Sequence, residues 1–213
     1  MHTYDKIPNV WSRDEDTGKL LYWRWTNPVL ETLADTDWSV TEKLDGTNIR
    51  IGVDEDDRWF VKGRTDRASI PPELLAHCVG LEDRLRFAFD GPFCVYGEGV
   101  GPKIQKHGNR YGDHQRFVMF DAKVGRYWLE RDALTEIALA TNVPAVPFGF
   151  FAPLTLRVVC EWWLDEGAKS AFYDGIAEGW VLRPVHGLLQ RDGAPIRVKI
   201  KETDFARLRG GSA

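Results

Sequence analysis

The stretch Glu42-Lys43-Leu44-Asp45-Gly46-Thr47-Asn48 decides how this chain reads. A lysine is followed two residues on by an acid and then directly by a glycine. The pattern places an amine at a tight turn beside a carboxylate, with a glycine where a phosphate ester can approach the backbone closely. Beyond it, Ile49, Ile51 and Val53 alternate with Arg50 and Gly52, the spacing of a half-buried strand. Asp54–Asp57 reads as a turn, and Trp59–Lys62 as the returning strand of a hairpin. A free lysine has a pKa near 10.4 and is a poor nucleophile at neutral pH. Neighbouring cations or a metal correct this. The attacked phosphate also needs positive charge around its transition state. If Lys43 attacks a nucleotide, further cations must converge on it, a metal needs carboxylates, and the nucleoside needs an aromatic face and a ribose contact.

The chain supplies candidates for each, in order. Lys62-Gly63-Arg64-Thr65 ends the hairpin. Phe93 to Tyr96 is an apolar strand running into Gly97-Glu98-Gly99, and Phe117 to Phe120 is another that runs into Asp121. Glu178 enters a strand over Gly179–Arg183. In Ile196–Lys201, Lys199 and Lys201 stand at period two and point to one face of a strand. Between these, Pro71–Phe89 reads as helical with Gly80 as a candidate break, and Leu129–Ala140 and Leu154–Leu164 as two more helices. Residues 1–39 read as loop-rich. The expectation is one α+β domain over 1–213 with a mostly antiparallel sheet and flanking helices.

Taken together, from about Trp38 to Lys201, these motifs resemble the ATP-dependent RNA ligases of the covalent nucleotidyltransferase superfamily, which also holds DNA ligases and capping enzymes. Asn48 and the Thr47 before it are closer to the RNA ligases. Asp45 stands where many of them carry histidine and DNA ligases carry aspartate. The segments Lys6–Val10 and Asn27–Leu30 resemble the lead-in of phage and bacterial RNA ligases. The resemblance implies a nucleotidyltransferase (ATP-grasp-like ligase) fold and a role for each residue. Lys43 is the nucleophile that takes AMP from ATP. Glu42 contacts adenine, Phe120 stacks on it, Glu98 binds the ribose, and Arg64 holds the ribose or the end phosphate. Glu178 assists Mg2+ or Mn2+, with Asp45 and Glu98 as further metal candidates. Lys199 and Lys201 contact the α-phosphate, and Asn48 acts near the reacting ends. The implied partner is an RNA 3′-hydroxyl and 5′-phosphate, in a nicked duplex, an RNA–DNA hybrid or free ends. The alternatives are a small ATP-dependent DNA ligase, a capping enzyme, or an inactive end-binding module of the same fold.

Composition sets outer bounds. A 213-residue chain, 43% hydrophobic, buries a full core without staples. Its net charge of −4 argues against coating nucleic acid by bulk charge. A local basic patch is still available at Pro102–Arg116, where Lys103, Lys106, Arg110 and Arg116 would meet phosphates and Tyr111 would stack on a base. Cys78, Cys94 and Cys160 read as buried reduced thiols, and the five histidines lack metal-ligand spacing. No apolar run reaches the roughly 20 residues that span a bilayer, and Met1–Asp5 lacks the features of a signal peptide. The expectation is a cytoplasmic monomer of phage or bacterial origin, with neither an OB-fold nor a helical domain after Lys201.

Overall fold

The computed structural model describes residues 3–147 and 154–210, so Met1 and His2 of the N-terminal stretch lie outside it. In chain order the strands and helices are β1 (Trp11–Arg13), β2 (Leu20–Trp25), α1 (Pro28–Thr32), β3 (Asp37–Lys43), β4 (Thr47–Val53), β5 (Trp59–Gly63), α2 (Pro72–Val79), α3 (Glu82–Ala88), β6 (Phe93–Val100), β7 (Arg116–Val124), β8 (Tyr127–Trp128), α4 (Arg131–Thr141), β9 (Leu154–Thr155), α5 (Leu156–Asp165), β10 (Gly179–Pro184), β11 (Val198–Lys201) and α6 (Glu202–Gly210). Contacts divide the chain into two units that interleave in sequence: Met1–Asp5 with Leu44–Val146, and Lys6–Lys43 with Pro147–Ala213. Among the described residues no helix is long and apolar enough to cross a membrane.

The first unit is built on the antiparallel sheet β5-β4-β6-β7-β8. Ile49, Ile51 and Val53 of β4 point into a core with Phe93, Val95, Phe117 and Met119, covered by Leu74, Cys78 and Leu85 of α2 and α3. The helical stretch does break at Gly80, because α2 ends at Val79 and α3 starts at Glu82. The other face of β4 departs from the half-buried reading, since Arg50 is only 1% exposed. Its guanidinium is compensated by the Gly63 carbonyl at 3.0 Å and by Asp66 at 2.7 Å, which is what allows a charge to be buried there.

The second unit holds the sheet β11-β10-β3-β9. Leu156, Val159, Cys160 and Trp163 recur at helical spacing along α5 and pack with Trp38, Val40, Trp180, Leu182, Val198, Ile200 and Phe205. Full burial of each large apolar side chain contributes about 1.5–3 kcal/mol. Thr155 caps α5 by accepting from the Val158 N–H. The stretch before Trp38 is less irregular than expected. β1 and β2 pair as a hairpin, and Pro8–Val10 run parallel to β11, with Lys199 N–H donating to Pro8 O at 2.9 Å and Val10 N–H to Lys199 O at 3.0 Å.

Candidate active site

On the second unit, strand register brings the lysines together. Lys43 on β3, Gly179 on β10 and Lys201 on β11 form one row across the sheet, and Thr41, Val181 and Lys199 form the next. Directly paired residues share a face, so Lys43, Lys199 and Lys201 all rise from the same side. Gly179 stands in the middle of the first row because nothing larger fits: a Cβ there would lie 2.1 Å from the Ile200 carbonyl oxygen. Glu178, one residue earlier, turns its carboxylate between the two outer lysines. One oxygen accepts from Lys43 Nζ at 2.5 Å and the other faces Lys201 Nζ at 3.5 Å.

This group is electrostatically uneven. Burial, followed by the charges of Lys201, Lys43 and Lys6, pulls the Lys199 ammonium down to a pKa of about 8, and Glu178 opposes that shift. Lys6 enters through the pairing of Pro8–Val10 with β11, and its side chain is exposed. Four cations gathered around the Glu178 carboxylate are suited to a polyanion such as a nucleotide's phosphates.

Glu42 does not join them. It pairs with Trp180 on the helix-covered face of the sheet, opposite to Lys43. Its carboxylate accepts from Ser170 Oγ at 2.5 Å and from the Ala171 N–H at 2.8 Å. There it borders a cavity of about 500 Å3 lined also by Trp162, Lys169 and Trp180.

On the first unit, Asn48 and Glu98 are direct neighbours across β4 and β6. Asn48 Oδ1 is buried and has no hydrogen-bond partner among the described residues, an open acceptor beside a carboxylate. Phe120 sits at a bulge: Tyr96 pairs with Asp121 and Gly97 with Met119, which leaves Phe120 unpaired on β7. Bulges of this kind re-aim a side chain. The Phe120 ring meets the edge of Tyr4 at 4.9 Å, and the Tyr4 hydroxyl donates to buried Asp121 at 3.0 Å. Arg64 is exposed where β5 ends.

The basic loop separates into parts. Lys103 and Lys106 are exposed, whereas Arg110 is half-buried and faces Asp45 at 3.5 Å. Arg116 lies on β7, close enough to His77 to help burial and Arg84 lower the pKa of that imidazole. Tyr111 does not offer a stacking face. It is 1% exposed, and its hydroxyl accepts the Asp45 N–H at 2.8 Å. Among the described residues no group of three or more His, Cys, Asp or Glu could hold a metal ion.

Sequence reasoning gave no role at the site to Lys6, Tyr4 or Gly179. A lysine near a chain start carries no signal of its own. Gly179 was visible as a glycine inside a strand, which marks a close approach of backbone or ligand.

Comparison with known proteins adds the family. The fold is similar to that of a Naegleria gruberi RNA ligase. A variant solved with ATP and Mn superposes with a TM-score of 0.66 at 19% identity, covering 86% of this chain and 54% of that one. The same ligase with PPi gives 0.67 at 18% identity, over 98% and 64%. A further variant without ligand gives 0.67 at 18%, over 98% and 62%. This chain thus spans between about half and two thirds of the length of the structures it matches. None of the curated proteins matches it. The RNA ligase family model matches residues 36–201, a span that runs from just before β3 to the last residue of β11. With the lysine-bearing strands at both ends of that match, the chain belongs to the RNA ligase family.

Proposed function

We propose that this protein is an ATP-dependent RNA ligase that works through a lysyl-AMP intermediate. The observation that carries the reading is the row Lys43, Gly179, Lys201, with Glu178 holding both lysines and Lys199 one row away. It combines a nucleophile, a proton acceptor and cations for a phosphate on one face.

Lys43 must lose a proton before its nitrogen can attack, and Glu178 is the acceptor already bonded to it. The Nζ–P bond then forms at the α-phosphorus as the α–β anhydride bond breaks and pyrophosphate leaves. Lys199 and Lys201 offset the charge that gathers on the phosphate oxygens. A 5′-phosphate next displaces Lys43, which recovers its proton. A 3′-hydroxyl finally attacks the capped end and AMP departs. Glu178 provides one carboxylate among lysines. Glu178 is the carboxylate that the family resemblance assigns to Mg2+ or Mn2+, and it would hold such a hard ion together with the nucleotide. When bound, the ion neutralises charge on the reacting phosphates. The roles of Arg64 at the ribose or end phosphate, Glu98 at the ribose, Phe120 on the purine and Asn48 near the reacting ends rest on the family resemblance. So do an adenine contact for Glu42 and contacts from Lys103, Lys106, Arg110 and Arg116 to RNA.

The test is incubation with α-labelled ATP or α-labelled GTP and magnesium, read on a denaturing gel, with Lys43→Ala alongside. Label from ATP on the unaltered protein alone supports the reading. Label from GTP turns it towards capping, and no label from either, in folded protein stripped of bound AMP, overturns it. Adding 5′-phosphorylated RNA or DNA, nicked or single-stranded, to the labelled protein then identifies the strand it accepts.

A further inference from the structure

The turn that follows Lys43 is held by side chains of a single loop. From Lys43 the chain passes through buried Leu44 into Asp45 and Gly46. Gly46 is pressed against β6, where a Cβ would lie 2.2 Å from the Gly99 carbonyl oxygen. The other side of the turn meets the loop that leaves β6. This loop folds back tightly on itself, because Gly108 packs where a Cβ would be 2.0 Å from Gly101 O. Gln105 Nε2 donates to Gly46 O at 2.8 Å, and the Tyr111 hydroxyl accepts from the Asp45 N–H at 2.8 Å. Arg110 secures the tyrosine: Nη2 donates to its hydroxyl at 3.2 Å, and the guanidinium lies 5.1 Å from its ring centroid.

We propose that Tyr111, with Gln105, is a positioning residue that fixes the Asp45–Gly46 turn just beyond Lys43 and so sets the aim of the nucleophile. The proposal rests on the function proposed above. The Arg110–Asp45 pair, at 3.5 Å and partly exposed, contributes little by itself. The hydroxyl matters more, because without it a partly buried backbone N–H loses its acceptor. Displacing a reacting group by 1 Å costs on the order of 100-fold in rate. A clasp on the turn two residues beyond Lys43 is therefore felt in the rate of attack and not in affinity for the nucleotide.

The experiment is single-turnover formation of lysyl-AMP against ATP concentration, with Tyr111→Phe and, separately, Gln105→Ala. Tyr111→Phe is expected to lower the maximal rate about tenfold while half-saturating ATP stays within about twofold. Amide exchange at Asp45 should quicken and the melting temperature should hold. Gln105→Ala alters an exposed side chain and should move the same rate by a few-fold. It decides the matter if the tyrosine variant loses its fold. Maximal rates unchanged in both variants, or losses confined to half-saturation, would overturn the proposal. Absence of label on the unaltered protein would instead overturn the function reading, and the exchange measurement would still report on the clasp.

Discussion

Replacing Lys199 with methionine should make the protein more stable and less able to use a nucleotide. Burial and then the charges of Lys201, Lys43 and Lys6 lower the pKa of Lys199 to about 8, and Glu178 opposes the shift. Against an ordinary lysine, that displacement corresponds to about 3 kcal/mol of unfavourable interaction in the charged form. Solvent screening of a partly exposed side chain reduces this to about 1–2 kcal/mol. Methionine keeps the aliphatic stem and removes the charge, so at pH 7 the variant should melt roughly 3–6 °C higher. The pH dependence gives the cause away. The native group binds fewer protons than the unfolded one between pH 8 and 10.5. Unaltered protein therefore gains stability as pH rises through that window. The variant's advantage should be complete below about pH 8 and shrink steadily towards pH 10.5. Thermal unfolding of both proteins from pH 7 to 10, without and with ATP, reads all of this, and ATP should stabilise the unaltered protein more than the variant at pH 7. A variant that melts no higher at pH 7, or whose advantage does not change with pH, would refute the argument that burial, with the neighbouring lysines, disfavours the charged Lys199.

Two further outcomes follow from packing. Gly179→Ala forces a methyl to within 2.1 Å of a backbone oxygen on β11. It should cost about 1–3 kcal/mol by denaturant titration and abolish most lysine labelling, because the row carrying Lys43 and Lys201 must part. Burial pushes the thiols of Cys78 and Cys94 up to about 12 and about 11, and that of Cys160 higher still. A thiol reagent at pH 8 should leave native protein unmodified and count three thiols after denaturation.

Local pattern made parts of this legible in advance. The period-two spacing of Lys199 and Lys201 gave their common face, and the alternation after Asn48 gave β4. The same period places Glu42 on the face opposite Lys43, a signal already present in the order of two residues. Register is different. That Lys43 falls in one row with Gly179 and Lys201 depends on pairing β3 with a strand more than 130 residues later, which no local window contains. The bulge at Phe120 is equally non-local, since it arises from the mismatch of β6 and β7. Tyr111 and Arg50 were misread for one physical reason. Polar groups were assigned to solvent, yet each has its hydrogen bonds met inside the protein, which makes burial affordable. Leu20–Trp25 escaped notice as a strand because five of its six side chains are large and aliphatic or aromatic, with Arg24 alone to mark an outward face.

The interleaving of the two units has a consequence for biosynthesis. Residues 44–146 pair mostly with near neighbours, as successive antiparallel strands. Such local topology can condense while the rest of the chain is still being translated. The sheet bearing Lys43 cannot, because its strands come from residues 37–43, 154–155, 179–184 and 198–201, with Pro8–Val10 alongside the last. Lys43 is thus made early and stands without Glu178, Lys199 and Lys201 until the ribosome has passed Lys201. Nascent chains stalled before that point should hold a folded first unit, and on the function proposed above their Lys43 should take no label from ATP.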